Sequence, residues 1–547
     1  MKFFQLKFII FSCNVLVLFV WALRSLTEPD IWWQMRTGGW IAQHKAVPKI
    51  DVLSYTYQGE PWFNVKWLSE LIYYYLGNFI HPNAINLFAG ILFVGILLLM
   101  WTQLKNKVTS YAFTFTFLLI SFVFSYRMNG RPEMFSYFMV SVFFFLFWKA
   151  KTNIHYLWIL LPLQLCWANL HEAFGIGILM TWLYCLDQIF LVKIENKKIY
   201  YILIIGVVLM TCINPHGISL LSYSLNIYGQ LQENNFTSEM VGWKDPMYWN
   251  AFTNLFLIIF GVVFIYIIKK WKIQNQKIFD TIPAYQIVLI LLFFYLGLKS
   301  NRNIIFMVLV SFPILHEALE NMIPTWMKSN FKVAIATNML VYLFIVSGTY
   351  YTTFNPSNQF GISIHPEKTP IGAYEFIKDK SKGKKVFTDV LSANYGLWAL
   401  RPFFQSYIDL RDLDVFPTTF FENCYRLYQD PEVLVKGGIK LWELADSIDH
   451  FEYVLLLNNE NFQPLHQYLN SEKSKFALQY CDPLASVYGR KTQNNNFKNI
   501  FHPYTFYKEN IEWINLIFNP WYICTKDRKY DYEAYEEAVG ELIGRQK

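Results

Sequence analysis

Charge is scarce in this chain. Asp, Glu, Lys and Arg make up 16% of its 547 residues, against roughly 25% in ordinary soluble domains. A sequence so poor in charge makes neither a solvated disordered tail nor a nucleic-acid-packaging protein. Glycine (25) and proline (21) are too few for a collagen-like chain. Cysteine is rarer still, and the seven present carry no CxxC and no metal-ligand spacing. Also missing are a GxGxxG turn, a P-loop and the spacing of a hydrolase triad.

What the chain has instead is apolar bulk. Hydrophobic residues are 54% of it and aromatics 19%, with a mean hydropathy of +0.23. That is the composition of a polytopic membrane protein. Charge divides it in two. Residues 1–351 hold 25 Lys and Arg against 15 Asp and Glu, a net +10, while 352–547 hold 22 against 25, a net −3. The expected organisation is therefore an all-α membrane domain over 1–351, with a long first loop at 25–83, followed by a small α/β domain over 352–547. Cys13, Cys166, Cys185 and Cys212 lie in apolar stretches and read as small core residues. Cys424, Cys481 and Cys524 follow and allow at most one internal disulfide.

A helix needs about 20 apolar residues to cross a bilayer. Eleven stretches qualify as spans, roughly 7–24, 84–104, 110–126, 133–149, 154–170, 173–192, 199–213, 250–268, 283–299, 302–316 and 332–351. The first follows Lys2 and Lys7 with no small-residue cleavage site behind it and reads as a retained anchor. Alternating from a cytoplasmic N-terminus puts 15 of the 25 bases of this half on the inner ends, every one a lysine, as the positive-inside rule requires. Ten of its 15 acids then fall outside. An odd number of spans places 352–547 outside as well, which predicts a multi-pass protein whose C-terminal domain lies on the outer side. Any chemistry faces the outer leaflet.

The loop 25–83 is far longer than an ordinary connection, and such loops are usually functional or disordered. Its composition argues for order. From Leu68, the positions Leu71, Ile72, Tyr75, Leu76 and Phe79 repeat at helical spacing, predicting a helix in the interfacial plane. A second helix is expected from Ile31 to about His44, rich in Trp, and Pro48–Asp51 reads as a turn. Asp30 stands seven residues beyond Leu23, at the outer edge of the hydrocarbon. It reads either as an N-cap of the following helix or as a catalytic carboxylate on a short tether.

Three stretches of this loop, Asp30-Ile-Trp-Trp-Gln-Met-Arg-Thr-Gly38, Val47-Pro-Lys-Ile-Asp51-Val-Leu-Ser-Tyr-Thr56 and Pro61-Trp-Phe-Asn64-Val-Lys-Trp67-Leu-Ser-Glu70, resemble the first periplasmic loop of a bacterial branch of the GT-C glycosyltransferases. These are polytopic enzymes similar to dolichyl-phosphate-mannose protein mannosyltransferases and to the lipid A aminoarabinose transferase. Arg131-Pro132, Trp167-Ala-Asn169-Leu-His171, Asn214-Pro215-His-Gly217, Glu239 with Trp243, and Arg302-Asn303 fit the same branch. The resemblance spans about residues 20–350 and, more loosely, 370–415. The chain departs from related sequences in reading Asn64-Val-Lys-Trp67 where they often have Asn-His-Glu-Trp, and Glu172 where they have Gly. The resemblance implies transfer of a sugar from a polyprenyl-phosphate donor to a glycan, lipid or protein acceptor at the outer face, with inversion at the anomeric carbon. It also implies that an aspartate of the first loop is the base, and Asp30 is the matching position.

The residue types suit that chemistry. An acceptor hydroxyl becomes a good nucleophile when a positioned carboxylate takes its proton, an effect of about 10²–10⁴-fold. The leaving lipid phosphate gains negative charge as the bond breaks, which fixed cations stabilise, and the guanidinium fork grips phosphate through two donors. Arg131 and Arg302 are the first candidates for donor-phosphate binding and Lys299 the second; the alternative is arginines that snorkel to headgroups. His171 and Glu172, just after Asn169, read as acceptor-orienting or acid/base groups, or as a hydrogen-bonded turn closing two helices. Asp51 and Glu70 are candidates for the substrate site, or for joining Asp30 around a divalent cation. Oligosaccharyltransferases use a metal and the mannosyltransferase-like enzymes mostly do not, so no metal and no other cofactor is expected. Glu239 and Trp243 lie in the loop 214–249, where a Trp face stacks on a sugar or sits at the interface.

In the second half, Lys384–Thr388, Phe403–Tyr407, Tyr453–Leu457 and Phe476–Tyr480 read as strands, and runs near 370–380, 417–428, 439–450 and 462–471 as helices. The stretch 491–511 reads as a connection and 531–547 as a closing helix. A carrier or flippase for a lipid-linked saccharide is the alternative function, but no internal repeat of the transporter kind is present. A non-catalytic scaffold in envelope assembly is the third. Nucleic acid is not expected among the partners; membrane lipid is.

Overall fold

The computed structural model describes residues 2–104, 110–192, 197–223, 241–274, 278–328, 330–365, 368–411, 414–435, 437–482 and 484–491. The chain forms two compact units: Met1–Arg24 with Ala84–Gly361, and Ser25–Asn83 with Ile362–Lys547. The sequence division fell at 351 and kept the loop 25–83 with the helical half. By internal contact the loop groups with the C-terminal half, and the boundary lies at Gly361.

In chain order the principal helices of the first 350 residues are α1 (Lys2–Ala22), α2 (Asp30–His44), α3 (Trp67–Phe79), α4 (Ala84–Leu104), α5 (Ser110–Ser125), α6 (Glu133–Ala150), α7 (Leu160–Leu170), α8 (Gly175–Leu186), α9 (Lys198–Thr211), α10 (Ala251–Gln274), α11 (Ala284–Lys299), α12 (Ile304–Met322) and α13 (Phe331–Val346). All but α2 and α3 belong to the first unit. Each of the eleven apolar stretches read as spans is helical. Five helical runs are long and apolar enough to cross a membrane (Ala84–Leu104, Glu133–Ala150, Glu172–Leu191, Ala251–Gln274 and Asn301–Met322), and the other six apolar helices are shorter. This is a helical membrane protein, a form that satisfies every backbone group within its own segment. Helix α12 is mostly apolar and almost wholly buried from Ile304 to Leu315, as a helix at the centre of a bundle must be. It packs against α5, α6, α10 and α11.

The second unit is built on a four-stranded sheet of β1 (Val386–Thr388), β2 (Tyr453–Leu457), β3 (Phe476–Cys481) and β4 (Ala485–Arg490), in the order β1-β2-β4-β3. β1 and β2 run parallel, with Phe387 opposite Val454. The other pairs are antiparallel, with Leu455 opposite Val487 and Phe476 opposite Arg490. A parallel pair needs a helical crossover, supplied here by α15 (Ser392–Ala399), α16 (Thr418–Gln429) and α17 (Leu441–Asp449). α14 (Ile371–Ile377) precedes the sheet and α18 (Gln463–Asn470) joins β2 to β3. Phe387, Tyr407, Trp442 and Phe451 stack edge to face beside the sheet, with Phe387 and Trp442 5.0 Å apart.

Three expected strands and four expected helices of this half are present, while Phe403–Tyr407 is not a strand. Leu400 O accepts from both Phe403 N (3.1 Å) and Phe404 N (3.2 Å), closing a turn after α15. Only Ser406 remains extended, and it bridges to Ser54 of the first loop rather than to the sheet. β4 and α15 are additions to the reading. The stretches 492–511 and 531–547 lie outside the described residues.

The first loop is an integral part of this unit. Leu26 N donates to Ser363 O (2.7 Å) and His365 N to Leu26 O (2.9 Å). α2 and α3 form an antiparallel pair whose close approach is set at Gly38, where a Cβ would lie 2.0 Å from Glu70 O. Glycine is required there because the obstacle is backbone. Further along, Thr56 Oγ1 donates to Tyr407 O (2.7 Å) and Tyr55 OH to Val386 O (3.2 Å).

Candidate functional site

In the first unit, the turn before α6 and the turn before α12 bring arginines together. Arg127 grips the Glu133 carboxylate with both arms of its fork, Nε to Oε1 at 2.8 Å and Nη2 to Oε2 at 3.0 Å. Arg302 Nη2 stands 3.5 Å from the same Oε2, and Tyr137 OH donates to the Arg302 carbonyl (3.4 Å). Burial works against the charge of Arg127, the Glu133 carboxylate more than offsets it and raises its pKa, and the Arg131 charge opposes that rise. Arg127, Arg131 and Arg302 therefore share one neighbourhood with the Glu133 carboxylate. The sequence reading ranked Arg131 and Arg302 first and passed over Arg127, whose bidentate pairing across a six-residue turn leaves no sequence signal.

A second polar chain runs through the same unit. Trp167 Nε1 donates to Ser136 Oγ (2.8 Å), and Ser136 Oγ lies 2.8 Å from His171 Nδ1. Ala173 N also donates to Nδ1 (3.3 Å). Nδ1 is thus an acceptor, which assigns the neutral ring's proton to Nε2. Nε2 is 3.9 Å from Glu172 Oε1, whose side chain is 31% exposed. The arrangement is a directed line of donors from α7 through α6 to a half-exposed carboxylate. Asn169, beside it, is buried and ties α7 to the end of α9 through Nδ2 to Leu165 O (2.8 Å) and Ile213 O (3.0 Å).

Lys299 is exposed at the end of α11, its Nζ 5.7 Å from the Tyr295 ring. The segment carrying Trp243 is zipped against it: Trp243 N donates to Leu298 O (2.8 Å) and Asn301 N to Val241 O (3.0 Å). Trp243 is exposed on the outside of this seam. Glu239 lies outside the described residues.

In the second unit, Asp30 opens α2, with Pro29 in the N-cap position. The N-cap alternative is thus displaced by one residue: Asp30 is in the first turn, where the helix macrodipole favours its charged form. Its Oδ1 accepts from Trp33 Nε1 (3.1 Å), and the residue is half-buried.

Asp51 and Glu70, both candidates for substrate contact, are committed to structure. The Asp51 side chain is 0% exposed, pairs with Arg411 and accepts from Leu53 N (2.8 Å) and from the Ser54 hydroxyl. Arg411 is equally buried, donating to Asp409 at 2.9 and 2.8 Å, with its guanidinium 4.9 Å from the Trp62 ring. No carboxylate oxygen of Asp51 faces a ligand. Glu70 is buried on α3 with Asn64 Nδ2 donating to Oε2 (2.7 Å). Burial pushes its pKa up to about 8, against the opposing pull of the Asn64 hydrogen bond. The physical reason is common to both: acids that read as loop residues in sequence face inward once the loop packs. Among the described residues no group of three or more His, Cys, Asp or Glu side chains has the arrangement to hold a metal ion.

Against known proteins, no family model matches the chain and no curated protein matches it. Among solved structures it is similar to the oligosaccharyltransferase of Archaeoglobus fulgidus. With the apo form the TM-score is 0.53 at 11% identity, over 89% of this chain and 75% of that one. With the form tethered to an acceptor peptide containing the NVT sequon it is 0.53 at 11% identity, over 84% and 70%. The likeness is one of fold, and it extends over most of the chain.

Proposed function

We propose that this protein is an inverting glycosyltransferase that moves a sugar from a polyprenyl-phosphate carrier to an acceptor at the outer face of the inner membrane. The observation that carries the reading is the meeting of Arg127, Arg131 and Arg302 at the Glu133 carboxylate. Guanidinium groups gathered at one place match a lipid phosphate whose negative charge grows as the glycosidic bond breaks. In this reading Arg131 and Arg302 hold the donor phosphate and Lys299 assists. Arg127 holds Glu133 in place between them.

Asp30 is assigned the base. Its position in a helix first turn and its bond from Trp33 fix the orientation of the carboxylate, as a positioned base requires. His171 and Glu172 orient the acceptor hydroxyl, Nε2–H donating and the carboxylate accepting, and Trp243 offers an exposed ring to a sugar face. Sugar, peptide and lipid acceptors all present the hydroxyl or amide this base would engage. The likeness in fold to an archaeal oligosaccharyltransferase supports glycosyl transfer by analogy.

Mass spectrometry of envelope glycans tests the reading. A deletion strain should lack one glycan or glycoconjugate that wild-type protein restores and Asp30→Asn, expressed at the same level, does not; the expected loss is at least about 10²-fold. Full restoration by Asp30→Asn removes Asp30 from the mechanism.

A further inference from the structure

Arg36 on α2 and Arg401, just after α15, form a pair of guanidiniums in the second unit that the transferase reading leaves unused. Arg36 Nη2 donates to Pro402 O (3.3 Å), one residue from Arg401. Arg401 Nη1 donates to Trp398 O (2.6 Å) and Nη2 to Asn78 Oδ1 (3.3 Å). Its guanidinium carbon lies over the Trp398 ring, 3.5 Å from the ring centroid, a contact that restrains the side chain. Each guanidinium has five donors. Arg401 uses two of them on the protein and Arg36 one, and the buried Nε of Arg36 has no partner.

Among the described residues no carboxylate is bonded to either group, and Asp379, which shares a cavity wall with Arg401, is paired with Lys382. Arg36 is opposed by burial and then by the Arg401 charge, and the only groups that favour the Arg401 charge are Tyr74 and Tyr395. Two like charges held together with unused donors are a costly arrangement unless an anion occupies them. Beside them Arg401 also lines a cavity of about 100 Å³ with Lys378, Lys382, Leu400 and Phe404. Both lysines there have their own acids, Glu375 at 3.6 Å and Asp379 at 2.8 Å, so the uncompensated charge on that wall is Arg401. The volume is about that of three waters, enough for one tetrahedral oxyanion.

We infer that Arg36 and Arg401 form an oxyanion site that takes a phosphate group, its oxygens bridging the two forks. A carboxylate has two oxygens and fills one fork; a phosphate has three or more and fills both. The chemistry is shared by a lipid headgroup and by a soluble phosphoester, and the site stands whether or not the transferase reading does, because it is read by binding.

The test uses full-length protein in a nonionic detergent, titrated with inorganic phosphate at constant ionic strength and followed by calorimetry. Wild type should bind saturably. Arg401→Gln, at an exposed position where folding is not at stake, and Arg36→Gln should each weaken binding by about tenfold or more, with Arg401→Lys intermediate because it keeps the charge and loses the fork. Dihexanoyl-phosphatidylglycerol and glycerol 1-phosphate then compete for the site. The stronger competitor identifies the source as lipid or soluble phosphoester, and either supports the site. No saturable binding by wild type, unchanged binding in both Gln variants, or acetate binding as tightly as phosphate overturns it.

Discussion

Arg302 and Arg127 meet the same carboxylate in different ways, and the difference makes them separable. Arg127 holds Glu133 through two short hydrogen bonds, whereas Arg302 stands 3.5 Å from one of its oxygens. Arg302→Gln should therefore leave the protein folded and lower transfer by about 10²-fold, the scale of losing one preorganised donor to a developing negative charge. Arg302→Lys should recover part of that, since charge survives and the fork does not. Glycan transfer in the complemented deletion strain, normalised to protein level, reads both. Glu70 gives a residue-scale prediction about stability. Its folded pKa is raised to about 8 by burial, well above the value of a carboxyl in an unfolded chain, about 4.3. The stabilising contribution of its protonated form is complete below about 4.3 and is lost as pH climbs through about 8, with a slope of at most roughly 1.4 kcal/mol per pH unit. Glu70→Gln keeps an acceptor for Asn64 and cannot ionise, so its thermal midpoint should lose this dependence and exceed that of wild type at pH 8. Parallel pH profiles for the two proteins would place the ionisable group elsewhere.

At the scale of elements, the loop 25–83 is held by contacts that single substitutions can undo. A methyl at Gly38 would stand 2.0 Å from the Glu70 carbonyl, which is backbone and cannot move aside, whereas at Gly39 it would meet the edge of the Tyr74 ring at 3.0 Å. Gly38→Ala should push α2 from α3 and cost about 1–3 kcal/mol, and Gly39→Ala clearly less, measured by thermal unfolding in detergent. Asp51→Asn removes one partner of a fully buried ion pair and leaves Arg411 with Asp409 alone; the expected loss is about 3–5 kcal/mol. A substrate-binding Asp51 would instead leave the unfolding midpoint unchanged and impair transfer only. These contacts also explain what the amino-acid order shows and what it hides. α2 and α3 were legible because their apolar periodicity is local, as were the eleven apolar helices, and β2 because it is a continuous apolar run. β4 was missed because Ala485-Ser-Val-Tyr-Gly-Arg490 alternates weakly, its burial coming from strands on both sides. Phe403–Tyr407 has strand composition, but its amides are taken by the turn after α15. For the candidate site, Asp30, Arg131 and Arg302 were readable as charges at span ends. The roles of Arg127, Ser136 and Arg411 were not, since each depends on a partner fixed by tertiary packing.

Across the whole molecule, the question is which way the chain threads the bilayer, and the charges supply an answer that helix geometry alone does not. Five helices have the length and composition to cross, and six shorter apolar helices accompany them. Short helices cross where the bilayer thins or flanking residues reach the interface, and a count of eleven crossings is the reading that makes every short connection on the inner side basic. Those connections carry lysine only, while the arginines at span ends all fall on the other side with most of the acids. A random threading would scatter both. The positive-inside bias is worth most in short loops close to the span ends, which is where Lys149, Lys151, Lys197, Lys198, Lys269, Lys270 and Lys272 stand. Reporter enzymes that act only in one compartment, fused after Lys198 and after Thr353, should therefore read inside and outside respectively. If the six shorter helices did not cross, both fusions could not take these values together with an inside reading at the N-terminus. The reverse pattern would move Asp30, Arg131 and Arg302 to the cytoplasmic face, where a carrier-linked sugar destined for the envelope is not presented, and the proposed roles of all three would fall together.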